Sequence, residues 1–174
     1  MKKSVFTTAA LTATLLLGAC SSDDQHAGHS AVTLQHCTIQ ETIPGAKATG
    51  AFLTISKSGD APLALVAAQA PTITNHVEIH EMVMGDGTMR MQKIPEYPLA
   101  AGDNVFKKGS YHIMLMSLEK TLSPGETYPL TLIFSDGNKH SCAAVVKTVQ
   151  ELTPKNMKMQ MKKAHAPGST TPGQ

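Results

Sequence analysis

Tryptophan is missing from this 174-residue chain, and aromatic residues of all kinds make up only 4% of it. An aromatic core is excluded, so whatever core forms must be mostly aliphatic. Charge of one sign is missing too, since fifteen Lys and Arg face thirteen Asp and Glu. No basic stripe is available to hold a phosphate backbone, which argues against nucleic acid as a partner. No segment keeps a helical apolar period over three turns, which excludes a helix bundle. The chain has no HExxH, no Walker loop, no nucleophile-elbow serine and no paired-carboxylate motif, so an enzyme is not expected. Cysteine is scarce, with three copies and no CxxC, which argues against a thiol-based metal or redox centre.

What is present begins with an export signal. Lys2 and Lys3 precede an apolar run that ends at Leu17, too short to span a bilayer. Leu17-Gly18-Ala19-Cys20 then resembles a bacterial lipobox, giving a signal peptide over 1–19 and lipidation at Cys20. Loss of Lys2 and Lys3 leaves thirteen basic residues against thirteen acidic, a neutral mature chain. Ser21 and Ser22 follow the anchor where a retention Asp would hold a lipoprotein at the inner membrane. The expected location is therefore the periplasm, lipid-anchored at the cell envelope, with the outer membrane favoured. Residues 20–31 are small and polar and read as a tether, with His26 and His29 as solvated linker residues. Cys37 and Cys142 remain, and in an exported protein such a pair is expected to form a disulfide.

From residue 32 the chain reads as short strands divided by Gly and Pro turns. The alternation predicts strands over 32–39, 50–56, 63–68, 76–84, 88–94, 105–106, 111–118, 127–135 and 141–148. A proline-bearing loop is expected over 95–102. Many short strands at regular spacing indicate an all-β domain over 32–150, an antiparallel β-sandwich or barrel with Greek-key links.

Two of these strands carry the same unusual text. His80-Glu81-Met82-Val83-Met84 and His112-Ile113-Met114-Leu115-Met116 both read His-x-Met-x-Met. Alternate residues of a strand share a face, so each copy puts one imidazole and two thioethers on one side. Val83, Ile113 and Leu115 are then expected to point into a core. Asp86-Gly87 is a type I′ hairpin signal that pairs Met84 with Met89 and Met82 with Met91. Methionine is most often a core gap-filler, but here its distribution is uneven. Apart from the initiator, six of the nine lie between 82 and 116 and the other three at 157, 159 and 161. Soft thioethers with borderline imidazoles favour Cu(I) among biological metals. Thioethers also form no disulfide, which suits an oxidising compartment.

Residues 151–174 read as a disordered tail. Met157, Met159, Met161 and His165 in it are candidates for a second copper. His36 and His140 have no assigned role. His76 shares strand parity with His80 but is expected to be exposed or satisfied.

Several blocks resemble the periplasmic copper-chaperone family PCuAC: Gly50-Ala51-Phe52-Leu53-Thr54-Ile55, Val77-Glu78-Ile79-His80-Glu81-Met82, Asp86-Gly87-Thr88-Met89-Arg90-Met91, Ala101-Gly102 and Tyr111-His112-Ile113-Met114-Leu115-Met116. The resemblance implies a cupredoxin-like β-sandwich that holds Cu(I) through His80, Met91, His112 and Met114. Met82 and Met89 stand as further candidate ligands. It also implies delivery toward the CuA site of cytochrome oxidase, often beside a Sco-type protein. The alternative is a copper-sequestering surface lipoprotein with no dedicated recipient. A blue-copper electron carrier would need a cysteine ligand, and none lies between His80 and Met116.

Overall fold

The computed structural model describes residues 30–153. The signal peptide, Cys20 and the tail candidates Met157, Met159, Met161 and His165 lie outside the described residues. Ten strands run in the order β1 (Ala31–Gln40), β2 (Thr49–Ser58), β3 (Ala64–Gln69), β4 (Val77–Gly85), β5 (Thr88–Ile94), β6 (Tyr97–Pro98), β7 (Gly102–Phe106), β8 (His112–Leu115), β9 (Thr127–Phe134) and β10 (Lys139–Lys147). They form one hydrogen-bonded sheet, β5-β4-β8-β2-β1-β10-β9-β3-β6, with β7 added beside β2. The fold is an all-β sandwich.

The sheet folds on itself because its strands alternate. Ile39, Leu53, Ile55, Ile113 and Leu115 from one half meet Leu65, Leu130, Leu132, Phe134 and Val146 from the other in a single core. That core is aliphatic apart from a few rings. Tyr97 of β6 stacks edge-on against Phe106 of β7 and Tyr111, with centroids 4.9 Å and 4.6 Å away. These contacts join the far end of the sheet to its middle. Asn104, buried in β7, donates through its amide to the carbonyls of Ile55, Ala100 and Gly102, so its buried polar atoms are satisfied.

Among the described residues all strand pairings are antiparallel except one. β1 and β10 run parallel, with Thr38 opposite Val145 and Gln40 opposite Lys147. The Cys37–Cys142 disulfide joins the same two strands across 105 residues of sequence. The parallel pairing departs from the expectation of a purely antiparallel sandwich. It arises because the first and last strands meet in mid-sheet with no hairpin to reverse them.

Three local features also depart from the strand reading. β6 lies within the 95–102 stretch expected to be loop. β8 ends at Leu115 because Ser117 adopts a φ of +53°, so Met116 lies past the strand, though its N–H still donates to the His76 carbonyl. A short helix, α1 (Val149–Leu152), spans the expected domain boundary at 150. It is held by a capping box in which Thr148 and Glu151 each bond the other's backbone.

Candidate metal centre

The β4–β5 hairpin is set by its turn. Asp86 and Gly87 take φ values of +50° and +73°, which is the backbone a type I′ turn requires. The register follows: Met84 faces Met89, Met82 faces Met91, and His80 faces Lys93. On its other side β4 pairs with β8, where His80 lies directly opposite His112 and Glu78 opposite Met114. Directly opposed residues point to the same side of a sheet. Two segments distant in sequence therefore place His80, Met82, Met84, Met89, Met91, His112 and Met114 on one face. Ile79 and Ile113, on the other face, are buried. Val83 is only half-buried, because it lies beyond the end of the β4–β8 pairing.

The two imidazoles are 5.9 Å apart between ring centroids. His112 is 5% exposed, and the His80 side chain is 12% exposed. Each ring has one nitrogen tied to an oxygen. His112 Nδ1 lies 2.8 Å from the Ser110 carbonyl, which can only accept, so Nδ1 carries the hydrogen and Nε2 the lone pair. His80 Nε2 lies 2.8 Å from Glu78 Oε2, so Nε2–H donates, and in the neutral ring the lone pair is on Nδ1. His80 Nδ1 is the one buried side-chain polar atom among the described residues with no hydrogen-bond partner. A buried, unpartnered acceptor is costly, and a metal ion would satisfy it. Metal–imidazole bonds of about 2 Å are compatible with rings at this separation.

Glu78 is the residue that the reading of the sequence missed. Its carboxylate accepts from His80, from His76 Nε2 at 3.1 Å and from Lys93 Nζ at 2.8 Å. The Lys93 ammonium, then His80 and His76, hold its pKa down at about 2, so it is ionised at neutral pH. Ionised outer carboxylates that receive the free N–H of a metal-type histidine fix its tautomer and orientation. The signal was available, since Glu78 shares His80's face two residues earlier, but a Glu on a strand ordinarily reads as solvated. His112 has its pKa lowered, mainly by burial and partly by His80, against an opposing effect of the Ser110 carbonyl. It is therefore neutral at neutral pH, the form a metal needs.

In front of His112 lies a cleft of about 410 Å³. Met82, Met89, Met91 and Met114 line it, with Gly50 and Phe52 opposite. His80 is not in the lining and sits behind, against His112. The Phe52 ring, 6.3 Å from that of His112, lies over Gly50, where a Cβ would come within 2.8 Å of it. No carboxylate lines the cleft; its soft donors are neutral thioethers and an imidazole, and the remaining polar lining is Gln40, Thr49 and Lys108, whose Nζ donates to Gln40 Oε1. Such a set suits a soft monovalent ion better than a hard or divalent one. Met116 does not line the cleft. His76 is mostly exposed and bonds Glu78. His36 sits at the β1 bulge with a φ of +54°, and His140 stacks on Phe134 at 5.6 Å.

Residues 32–146 match the LpqE-like family, described as "Putative lipoprotein LpqE-like". A relative from Leifsonia xyli subsp. xyli (strain CTCB07), "Putative lipoprotein Lxx21020", is 31% identical over 105 residues, which are 59% of this chain and 63% of that one. The chain thus spans less than two thirds of that relative's length. Among solved structures, the Cu(I) form of DR1885 from Deinococcus radiodurans is 29% identical with a TM-score of 0.50, covering 66% of this chain and 76% of that one. The copper-bound PCuAC domain from PmoF2 is 16% identical with a TM-score of 0.56. The match covers 69% of this chain and 98% of that domain, and at that identity it shows a shared fold.

Proposed function

The chain belongs to the LpqE-like family and has a PCuAC-type fold, and on that premise we propose that it is a Cu(I)-binding copper chaperone of the bacterial periplasm. Copper is its cargo. His80, Met91, His112 and Met114 hold the ion, with His80 and His112 supplying lone pairs and Met91 and Met114 supplying thioether sulfur. One observation carries this reading: two adjacent imidazoles with their N–H groups already engaged stand beside a cleft lined by thioethers and free of carboxylate. The Cu(I)-bound DR1885, more than a quarter identical, supports the choice of metal.

The neutral donor set also explains how cargo would leave. Thioethers are uncharged and replaceable one at a time, so copper passes by ligand exchange with no change of oxidation state. The recipient on this reading is the CuA site of cytochrome oxidase, with a Sco-type protein as companion. The protein acts as a carrier and not as an enzyme. Lipidation at Cys20 anchors it to the envelope, at the outer membrane, through the tether of residues 20–31. The tail at 151–174 offers Met157, Met159, Met161 and His165 to a second copper.

The test is Cu(I) retention against a competing chelator in the mature chain, with X-ray absorption to count sulfur and nitrogen ligands. His112→Ala and Met91→Leu should each weaken retention by tenfold or more, equivalent to about 1.4 kcal/mol. Unchanged retention in both removes them from the site. Transfer to an apo oxidase subunit separates delivery from simple sequestration.

A further inference from the structure

The pairing of β4 with β8 stops at His80, while its pairing with β5 continues to Gly85. Residues 81–92 therefore project beyond β8 as a two-stranded arm at the edge of the sheet. On the face it shares with His80, the arm carries two directly opposed thioether pairs, Met82–Met91 and Met84–Met89. Opposed residues hold their Cβ atoms about 4.5–5.5 Å apart, and diagonal neighbours are about 7–8 Å apart. Long, flexible methionines at such spacing can bring two or three sulfurs onto one ion.

Burial does not account for these side chains. Met91, Met89 and Met84 are 57%, 54% and 70% exposed, so the fold gains little from their apolar surface. Strand preference does not account for them either, since it favours β-branched and aromatic residues. Along β4 accessibility instead rises, from His80 at the base through half-buried Met82 to Met84 at the tip. A partner's ligand cannot touch the buried imidazoles directly, but it can touch the tip.

We infer that Met82, Met84 and Met89 form a second, thioether-only station for a soft monovalent cation, through which Cu(I) enters and leaves the cleft. Met82, Met89 and Met91 also line the cleft, so the two stations share them and Met84 alone stands outside it. The inference rests on the reading of the cleft as a Cu(I) site. At each step one Cu–S bond forms as one Cu–N or Cu–S bond breaks. The ion remains Cu(I), and no electron is transferred.

The test uses the mature full-length chain with 13C-labelled methionine methyls, titrated with Ag(I) as a redox-inert soft ion and then with Cu(I). The first equivalent should shift the Met91 and Met114 methyls, and the second and third, shared with the tail, those of Met84 and Met89. These signals are distinct from those of Met157, Met159 and Met161. Met84→Leu, at a position outside the cleft lining, should leave the Met114 response to the first equivalent in place and slow Cu(I) release to a bulky chelator several-fold. Stationary Met84 and Met89 methyls through three equivalents overturn the inference, as does release from Met84→Leu at the wild-type rate. If the first equivalent moves neither Met91 nor Met114, the cleft reading itself fails, and the station fails with it.

Discussion

The region around β1, β9 and β10 and the β4–β5 arm are built from the same alternating strand geometry, yet they use it oppositely. In the first, Ile39, Leu130, Leu132 and Ala144 are fully buried and a disulfide ties the first strand to the last. In the arm, three thioethers that could fill a core, Met84, Met89 and Met91, stand largely in solvent. The first region puts apolar side chains where burial stabilises the fold, and the second puts them where they can be touched. A methionine outside the core is thus a statement about ligands, because hydrophobic packing gives no reason for it.

The largest effect expected from breaking this contrast is at the disulfide. Cys37→Ser should cost about 4–5 kcal/mol in the chain-entropy account for a loop of this length, read as a fall in the urea midpoint under oxidising conditions. Next, Leu132→Ala should cost about 2–5 kcal/mol through lost burial and the cavity it leaves. By contrast, Met84→Thr should change stability by no more than about 0.5 kcal/mol, as for surface positions generally. A large loss from Met84→Thr would mean that the arm is packed as a core, and the contrast would collapse.

A pH-dependent effect sits at the base of the arm. Glu78 has a folded pKa near 2 against an ordinary value of 4.5. The folded state thus favours the ionised form, and the stability this contributes is fully present above about pH 4.5. It is lost as pH falls from there toward 2, where the unfolded chain binds the proton more readily. Glu78→Gln should remove that part of the acid sensitivity, measured as the difference between urea midpoints at pH 7 and pH 3. A slope equal to wild type would show that the carboxylate is not engaged by Lys93, His80 and His76. His112 acts in the same direction, since its pKa lies below 6.5. Stability rises with pH between its folded value and 6.5 and is level above.

Much of the arm was legible in advance. The Asp86-Gly87 turn and the period-two spacing of Met82, Met84, Met89 and Met91 specify both register and face from local chemistry alone. The aliphatic core and the Cys37–Cys142 pairing were legible for a similar reason, since few residues were available to do otherwise. The second neighbour of β4 was not legible, because the partner strand β8 starts at residue 112 and many antiparallel registers satisfy the same alternation. β6 was hidden by its two-residue length, and α1 by having only one turn.

The sequence by itself determined that imidazole and sulfur would share a side of two strands, because side-chain direction along an extended backbone depends only on parity. Only the tertiary structure decided that His80 would face His112 and that Glu78 would hold the His80 tautomer. It also decided that β1 and β10 would run parallel and that the arm would extend past its neighbour. Those outcomes depend on which strands exclude water together, a choice made by the whole core and not by any segment within it.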